Sequence, residues 1–340
     1  MTVVPARIRT ADDLAARFGR DEAERIGATT GIHSVHLVSP GQTAQDLAQH
    51  AATRLLAALN LSPRDVQGIV MVTQSADYSL PASACILQDR LGLPKSVLAF
   101  DVNLGCSAFP YGLAIVRGLL AAGPARRILL LVADTPSLHV HPEDRSAVPL
   151  FGDAAAATLL EADPDAEDLL GVDLGTDGGG WANLIMPVGK YRYPTRSDFA
   201  ASRPPCLAKV EYPEHTYING AEIFTFTLRE VPGLVERTLA AAKVSAEAVD
   251  YYFFHQANKF ILDYLIRKMR LPAAKCPLSI GSYGNTSGVS PAVTACHAAA
   301  AVNRERELLA AFVAFGVGYS WGGAMVRLRP GVLFPIEELA

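Results

Sequence analysis

The chain has 340 residues, half of them apolar and 19% charged, with a net charge of −4. That is more chain than one hydrophobic core usually organises, so two fused halves are expected. The mildly acidic balance argues against a nucleic-acid partner, and no apolar run of about 18 residues is present to span a membrane.

The N-terminus, Met-Thr-Val-Val-Pro-Ala-Arg, has no hydrophobic signal core. Five cysteines (Cys85, Cys106, Cys206, Cys276, Cys296) show neither metal-ligand nor paired spacing. A reduced, cytoplasmic protein without a metal fits that usage.

In chain order, residues 11–26 read as a charged helix with Thr10 as N-cap and Asp12 and Asp13 in its first turn. A second helix over 43–59 places Leu47, Ala51, Leu55 and Leu56 at helical spacing. The β-branched run 66–73 reads as a buried parallel strand, followed by a helix over 81–91. Residues 97–102 read as a buried strand, then a small-residue turn around Cys106, then an apolar helix from about Ser107 to Ala121. Strands over 127–133 and 151–160 close this half. The segment 171–214 is rich in Gly, Pro, Tyr and Arg and reads as a long surface connection. Its Gly175-Thr-Asp-Gly-Gly-Gly180 lacks the dinucleotide fingerprint and reads as a plain turn.

The remainder repeats the first half. A strand over 249–254 ends in His255-Gln-Ala-Asn258, and a helix follows over 260–270. The turn Gly284-Asn-Thr-Ser-Gly288 stands where the first half has Leu104-Gly-Cys-Ser107. An Ala-rich helix over 289–302 and a strand over 308–315 complete the repeat. The expected organisation is therefore 1–170, a connection 171–214, and 215–340. Such alternation means α/β layers with helices on both sheet faces, and sites at the carboxyl ends of strands. The duplication brings Cys106, His255 and Asn285 to those ends.

Each has a chemical and a plain reading. Amides at a helix start favour an anion, so Cys106 is expected to ionise easily and act as a nucleophile; it could equally be a small buried hydrophobe. His255 follows Tyr-Tyr-Phe-Phe, which favours a desolvated, neutral imidazole, but a core histidine would look the same. Asn285 could donate to an oxyanion or enolate, or simply shape a turn. Asp153 is a second candidate acid or a turn residue.

The motifs Thr30-Gly-Ile32, Asp101 to Cys106, Asp144-Arg145, Phe151-Gly-Asp153, Gly220 with Phe224, His255-Gln-Ala-Asn258, Gly284-Asn-Thr-Ser287 and Phe315-Gly-Val-Gly-Tyr-Ser-Trp-Gly322 occur in this order. As a set the chain resembles 3-oxoacyl-acyl-carrier-protein synthase III of the thiolase-like superfamily, over nearly its whole length. The resemblance implies a five-layered αβαβα sandwich of two duplicated halves with mixed, mainly parallel sheets. It implies a decarboxylative Claisen condensation. Cys106 would take an acyl group from acyl-CoA, and His255 and Asn285 would hold malonyl-carrier protein as it loses CO2. The oxyanion would sit between the backbone N–H groups of Cys106 and Val317. Thr29, Arg145, Gly220, Phe224, Ala257 and Asn258 match the family's CoA tunnel. Lys259, Arg267, Lys268 and Arg270 would dock an acidic carrier protein, or form an ordinary solvated face. No metal or bound cofactor is implied, and a homodimer is.

The chain departs from the family at several places. Only Thr2-Val-Val-Pro5 stands for the first strand, either a short strand or a misplaced start. Thr29 replaces an arginine, Arg25 a tryptophan and Val317 a glycine, and 171–214 is longer. Leu80 replaces an aromatic that reaches the partner's acyl pocket, which suggests a bulkier primer than acetyl. The pathway is fatty-acid initiation or a specialised one. Competing readings are transfer to an oxygen or nitrogen without C–C bond formation, a papain-like hydrolase, and a non-catalytic partner subunit.

Overall fold

The computed structural model describes residues 1–123, 125–163, 168–299 and 305–340. The chain opens with β1 (Thr2–Pro5) and the hairpin-like pair β2 (Ile8–Thr10) and β3 (Ser34–His36). Between these two, the expected single helix is two. α1 (Ala11–Phe18) starts on a capping box between Thr10 and Asp13 and stops at Gly19, whose φ of 93° breaks the helix. α2 (Arg20–Thr30) then runs to a left-handed Gly31. α3 (Ala44–Ala58) starts on a second capping box, Thr43 with Asp46, and buries Leu47, Ala51, Leu55 and Leu56 as the spacing predicts.

The first repeat follows as β4 (Gly68–Val72), α4 (Ser83–Arg90), β5 (Leu98–Val102), α5 (Ala108–Ala121), β6 (Arg127–Asp134) and β7 (Ala154–Glu161). α4 lacks a side-chain cap in its own sequence. Asp101 on β5 supplies it, accepting the N–H groups of Ser83 at 2.6 Å and Ala84 at 2.8 Å. β4 runs parallel to β5 and β6, so Met71 faces Asp101 on one side and Leu131 on the other.

The second repeat begins earlier than the composition suggests. β8 (Leu169–Thr176) pairs with the last strand of the second sheet, so the boundary expected at 170/171 falls inside a strand. The connection after it carries its own elements: β9 (Leu184–Ile185), α6 (Arg196–Ser202) and β10 (Tyr217–Ile218), around a small core of Val188, Phe199, Leu207 and Val210. α7 (Gly220–Ala242) was not apparent from the sequence; it covers β8 as α3 covers β1. Then come β11 (Tyr251–Phe254), α8 (Lys259–Lys268), α9 (Ile280–Tyr283), α10 (Ser290–Ala298), β12 (Leu308–Gly316) and β13 (Ser320–Leu328). The end of the Ala-rich helix expected at Val302 lies outside the described residues. β14 (Glu337–Leu339) returns to the first half and lies parallel to β1, so 215–340 is not a self-contained unit.

The sheet orders are β14-β1-β7-β6-β4-β5 and β11-β12-β13-β8. The first is mostly parallel, whereas the second is parallel only between β11 and β12. α5 and α10 lie between the sheets, α3 and α4 cover the outer face of the first, and α7 and α8 cover the second. This is the αβαβα sandwich. The apolar layers follow it: Leu113, Val116, Phe253 and Val293 between the sheets, Leu47 and Leu87 outside the first, Leu234 and Leu262 outside the second. β5 is half-buried rather than buried, because β4 is its one partner and its other edge is open. None of the described helices is long and apolar enough to cross a membrane.

Candidate active site

Cys106 lies in the turn between β5 and α5, just before the N-cap Ser107. The hairpin between β12 and β13 closes over it. A Cβ on Gly316 would stand 2.5 Å from the Cys106 Sγ, so only glycine permits this approach. The backbone N–H groups of Val317 and of Cys106 itself lie near enough to the sulfur to favour its anion. Burial outweighs them and pushes the thiol up to about 11. The expectation of an easily ionised cysteine is therefore corrected. α5 begins only at Ala108, and the dry pocket counts for more than the helix start.

His255 follows directly on β11, with its N–H bonded to the Val313 carbonyl at 2.7 Å. The ring is 1% exposed and meets Phe315 edge-on. Burial holds its pKa down at about 4, so the imidazole is neutral at pH 7. Its Nδ1 lies 2.7 Å from the Ser290 Oγ and 3.1 Å from the Ser287 carbonyl oxygen.

Asn285 sits in the turn between α9 and α10, which is fastened to the first half. Asn285 N–H donates to the Leu150 carbonyl at 2.8 Å, and Gly152 N–H donates to the Asn285 carbonyl at 3.2 Å. Its side-chain Oδ1 accepts the Ser287 N–H at 3.0 Å, which leaves the amide hydrogens on Nδ2 for a ligand. Ser287 takes a left-handed conformation, φ 52°, to make these contacts. The Asn285 and Cys106 turns touch through backbone: a Cβ on Gly288 would meet the Gly105 carbonyl oxygen at 2.3 Å. Cys106, Val317, His255 and Asn285 are thus joined through direct contacts of their turns. The site is a buried junction, Cys106 and Asn285 keeping 8% exposure each. Two clefts of about 380 and 500 Å³ lie elsewhere, beside Arg7, Arg9 and Arg17, and beside Trp181 and Ile185.

The residues expected to grip CoA lie on adjoining elements. The stem of Lys259 packs on Gly31, so the end of α2, which carries Thr29, adjoins the start of α8. Asn258 caps α8 by accepting the Ile261 N–H. Phe224 packs on Phe260 and Tyr264, one turn after Gly220 on α7. The Arg145 guanidinium lies over the Phe18 ring at 5.8 Å. Arg25, where a tryptophan was noted as usual, is paired with Glu22 at 2.5 Å.

The basic group on α8 is exposed but partly engaged. Lys259 pairs with Asp263, Arg267 donates to the Asp263 carbonyl, and Lys268 donates to the Leu228 carbonyl on α7. Arg270 lies beyond the helix in a left-handed turn. Leu80 is 76% exposed. Asp153, the second candidate acid, is structural: it accepts Val38 N–H and both the N–H and the hydroxyl of Ser137.

Several contributors were not legible in advance. Ser290 and Ser287 read as turn and cap residues, and nothing in their spacing says which way a hydroxyl points. Among the described residues, no group of three His, Cys, Asp or Glu side chains could hold a metal ion.

The family model described as 3-oxoacyl-[acyl-carrier-protein (ACP)] synthase III matches residues 100–178, and the one described as its C terminal matches 239–328. A beta-ketoacyl-[acyl-carrier-protein] synthase III of Gloeobacter violaceus is 35% identical over 327 residues, covering 95% of each chain. The crystal structure of a 3-oxoacyl-(acyl-carrier protein) synthase from Burkholderia xenovorans LB400 superposes with a TM-score of 0.91 at 35% identity, over 99% of this chain and 95% of that one. A 2.1 Å crystal structure of a 3-oxoacyl-(acyl-carrier-protein) synthase III superposes with a TM-score of 0.89 at 40% identity, over 96% of this chain and 97% of that one. Likeness at this level, over nearly the full length and in the layered fold, places the chain in the 3-oxoacyl-[acyl-carrier-protein] synthase III family.

Proposed function

We propose that the chain is a decarboxylative condensing enzyme that joins an acyl group from acyl-CoA to malonyl-acyl-carrier protein, as in fatty-acid initiation. The observation that carries this is the close approach of the Gly316 turn to the Cys106 sulfur, with the His255 and Asn285 turns packed against the same spot. The Cys106 sulfur attacks the acyl-CoA carbonyl. The oxygen takes the charge between the N–H groups of Cys106 and Val317, the C–S bond to CoA breaks, and the thiol proton leaves with CoA as its thiol. Because the thiol is buried and neutral, ionisation accompanies attack rather than preceding it.

In the second step malonyl-carrier protein takes the place that CoA has left. The Asn285 amide and the His255 imidazole donate to its thioester carbonyl while the C–C bond to the carboxylate breaks and CO2 departs. The enolate attacks the acyl-cysteine carbonyl, the C–S bond to Cys106 breaks, and the cysteine thiolate takes up a proton from solvent. The steps balance with acyl-CoA, malonyl-carrier protein and one proton from solvent, and call for no cofactor.

Thr29, Arg145, Gly220, Phe224, Ala257 and Asn258 would line the CoA and pantetheine path. Lys259, Arg267, Lys268 and Arg270 would meet the acidic carrier protein, and the cytoplasm supplies both substrates. A homodimer would form across the open edge of β5, with Leu80 reaching into the partner's acyl pocket; the half-buried edge and the exposed Leu80 support this. The test is intact mass after incubation with a panel of acyl-CoAs, followed by CO2 release from malonyl-carrier protein. Acylation confined to Cys106 with CO2 release supports the reading; acyl transfer to an oxygen or nitrogen acceptor without CO2 would replace it.

A further inference from the structure

The reading above needs a hydrogen on the outward nitrogen of His255, Nε2, so that the ring can donate to the thioester carbonyl. A neutral imidazole carries one hydrogen only, and the partner of the other nitrogen decides where it sits. Here that partner is a rotor. Ser290 is buried at the first position of α10, and its hydroxyl oxygen accepts the Gln256 N–H at 3.1 Å. Its single hydrogen has two possible acceptors: the Ser287 carbonyl at 2.9 Å and His255 Nδ1 at 2.7 Å.

The two settings have opposite consequences. With the hydroxyl on the Ser287 carbonyl, Nδ1 must be the donor toward Ser290, and Nε2 offers only a lone pair to the site. That setting satisfies every contact at once, because Nδ1–H also reaches the Ser287 carbonyl at 3.1 Å. It therefore suits the free enzyme. With the hydroxyl turned onto Nδ1, the hydrogen sits on Nε2 and the ring becomes a donor. That setting gives up the Ser287 bonds, and a thioester carbonyl held at Nε2 and Asn285 would offset the loss. The left-handed Ser287 presents its carbonyl to both groups and its N–H to Asn285, so one residue senses both settings.

We propose that Ser290 is a positioning residue that selects the tautomer of His255, releasing the Ser287 carbonyl to donate to Nδ1 when malonyl-carrier protein binds. As malonyl-carrier protein binds, the ring gives up the Nδ1 proton and takes one at Nε2 by exchange with solvent, and no covalent step involves Ser290. This rests on the condensing reading, and the readouts below separate the two.

Ser290→Ala leaves Nδ1 with the Ser287 carbonyl alone and so fixes the hydrogen on Nδ1. CO2 release from malonyl-carrier protein should fall about a hundredfold, the usual scale for losing one transition-state donor, while Cys106 acylation by acyl-CoA stays within about twofold. Ser290→Thr keeps the hydroxyl and should restore most of the CO2 release. Nitrogen-15 shifts of His255 should show Nδ1–H in the free enzyme and Nε2–H with a non-hydrolysable malonyl-thioester mimic bound, the second state being lost in Ser290→Ala. CO2 release by Ser290→Ala at the wild-type rate overturns the proposal, as does a tautomer that the mimic leaves unchanged or a parallel loss of acylation and CO2 release. A wild-type chain that releases no CO2 overturns the condensing reading and this proposal with it.

Discussion

The two halves solve the same problem with different means. In the first, β5 pairs with β4, the turn follows, and α5 starts, so the nucleophile is placed by regular backbone alone. In the second, no strand stands where β5 would be; α9 occupies the place before the turn. The Gln256 side chain does the missing strand's job. Its Oε1 accepts the N–H groups of Ser279 and Ile280 at 3.1 Å each, and its Nε2 donates to the Phe254 carbonyl at 2.9 Å. Beside it the buried Ser279 and Thr294 hydroxyls bond each other at 2.8 Å, and Thr294 donates to the Ser290 backbone carbonyl at 2.8 Å. A sulfur needs only converging amides, which strand and helix ends provide. Orienting an imidazole and a carboxamide needs directional side-chain bonds, and a polar network replaces the strand to make room for them.

The sharpest way to break the comparison is at the first half's single reactive atom. Cys106→Ala should abolish acyl-enzyme formation and lower condensation by about 10⁴-fold or more. Absence of any mass increment with acyl-CoA checks it. Acylation elsewhere in that variant would show that the backbone placement of Cys106 is not what selects the nucleophile.

The second half should instead be vulnerable at a residue that touches no substrate. Gln256→Leu removes three buried hydrogen bonds and leaves two N–H groups unpaired. A loss of about 3–5 kcal/mol in unfolding free energy is expected. Denaturant melts check it, and a variant as stable as the wild type would show that Ser279 and Ile280 find other partners.

These differences mark what the sequence could and could not disclose. The capped helices and β-branched strands of the first half are local features, and Thr10, Thr43, Leu47 and the Cys106 turn carried their own signals. Cys106, His255 and Asn285 were found because a duplication places strand ends together. The start of the second half was missed because Gly171, Gly175 and Asp173 in β8 look like loop residues. Gly175 is needed there because Trp321 lies across it, a contact made by a residue far along the chain. The raised thiol of Cys106 was misjudged for a similar reason: burial governs it, and the hairpin that closes over it at Gly316 comes from far along the chain. Hydroxyl networks are wholly tertiary, and neither Ser290 nor Gln256 announces itself by spacing.

Titration separates the two buried groups. His255 is held near 4, below its ordinary value of 6.5, by burial. A depressed pKa means that the unfolded chain binds the proton more readily. Its contribution is whole above about pH 6.5 and is lost as pH falls to about 4, an amount of roughly 3 kcal/mol. Stability measured at pH 7 and pH 4 should therefore fall about 3 kcal/mol more in the wild type than in His255→Gln. Cys106, raised to about 11, should react with iodoacetamide at pH 8 more slowly than the exposed Cys85 and Cys206. Fast alkylation of Cys106 would restore the view that the helix start governs it.

The smallest effect is expected outside both turns, on α8. Lys259 already holds Asp263, and Lys268 donates to the α7 carbonyl of Leu228, so both are tied more closely to the chain than Arg267. Arg267 uses only its Nε on the Asp263 carbonyl, which leaves the rest of the guanidinium for an acidic surface. Rim charges steer encounter more than they hold a complex, and each contributes about 1 kcal/mol or less. Arg267→Glu should raise the KM for malonyl-carrier protein several-fold in low salt, leave Cys106 acylation by acyl-CoA unchanged, and lose its effect as salt is added. Lys268→Glu should do less to KM and more to stability, because it strips the bond from the Leu228 carbonyl inside α7, which Pro232, lacking an N–H, cannot satisfy. A reversed order would mean that the carrier protein approaches from the α7 side and not along the exposed face of α8.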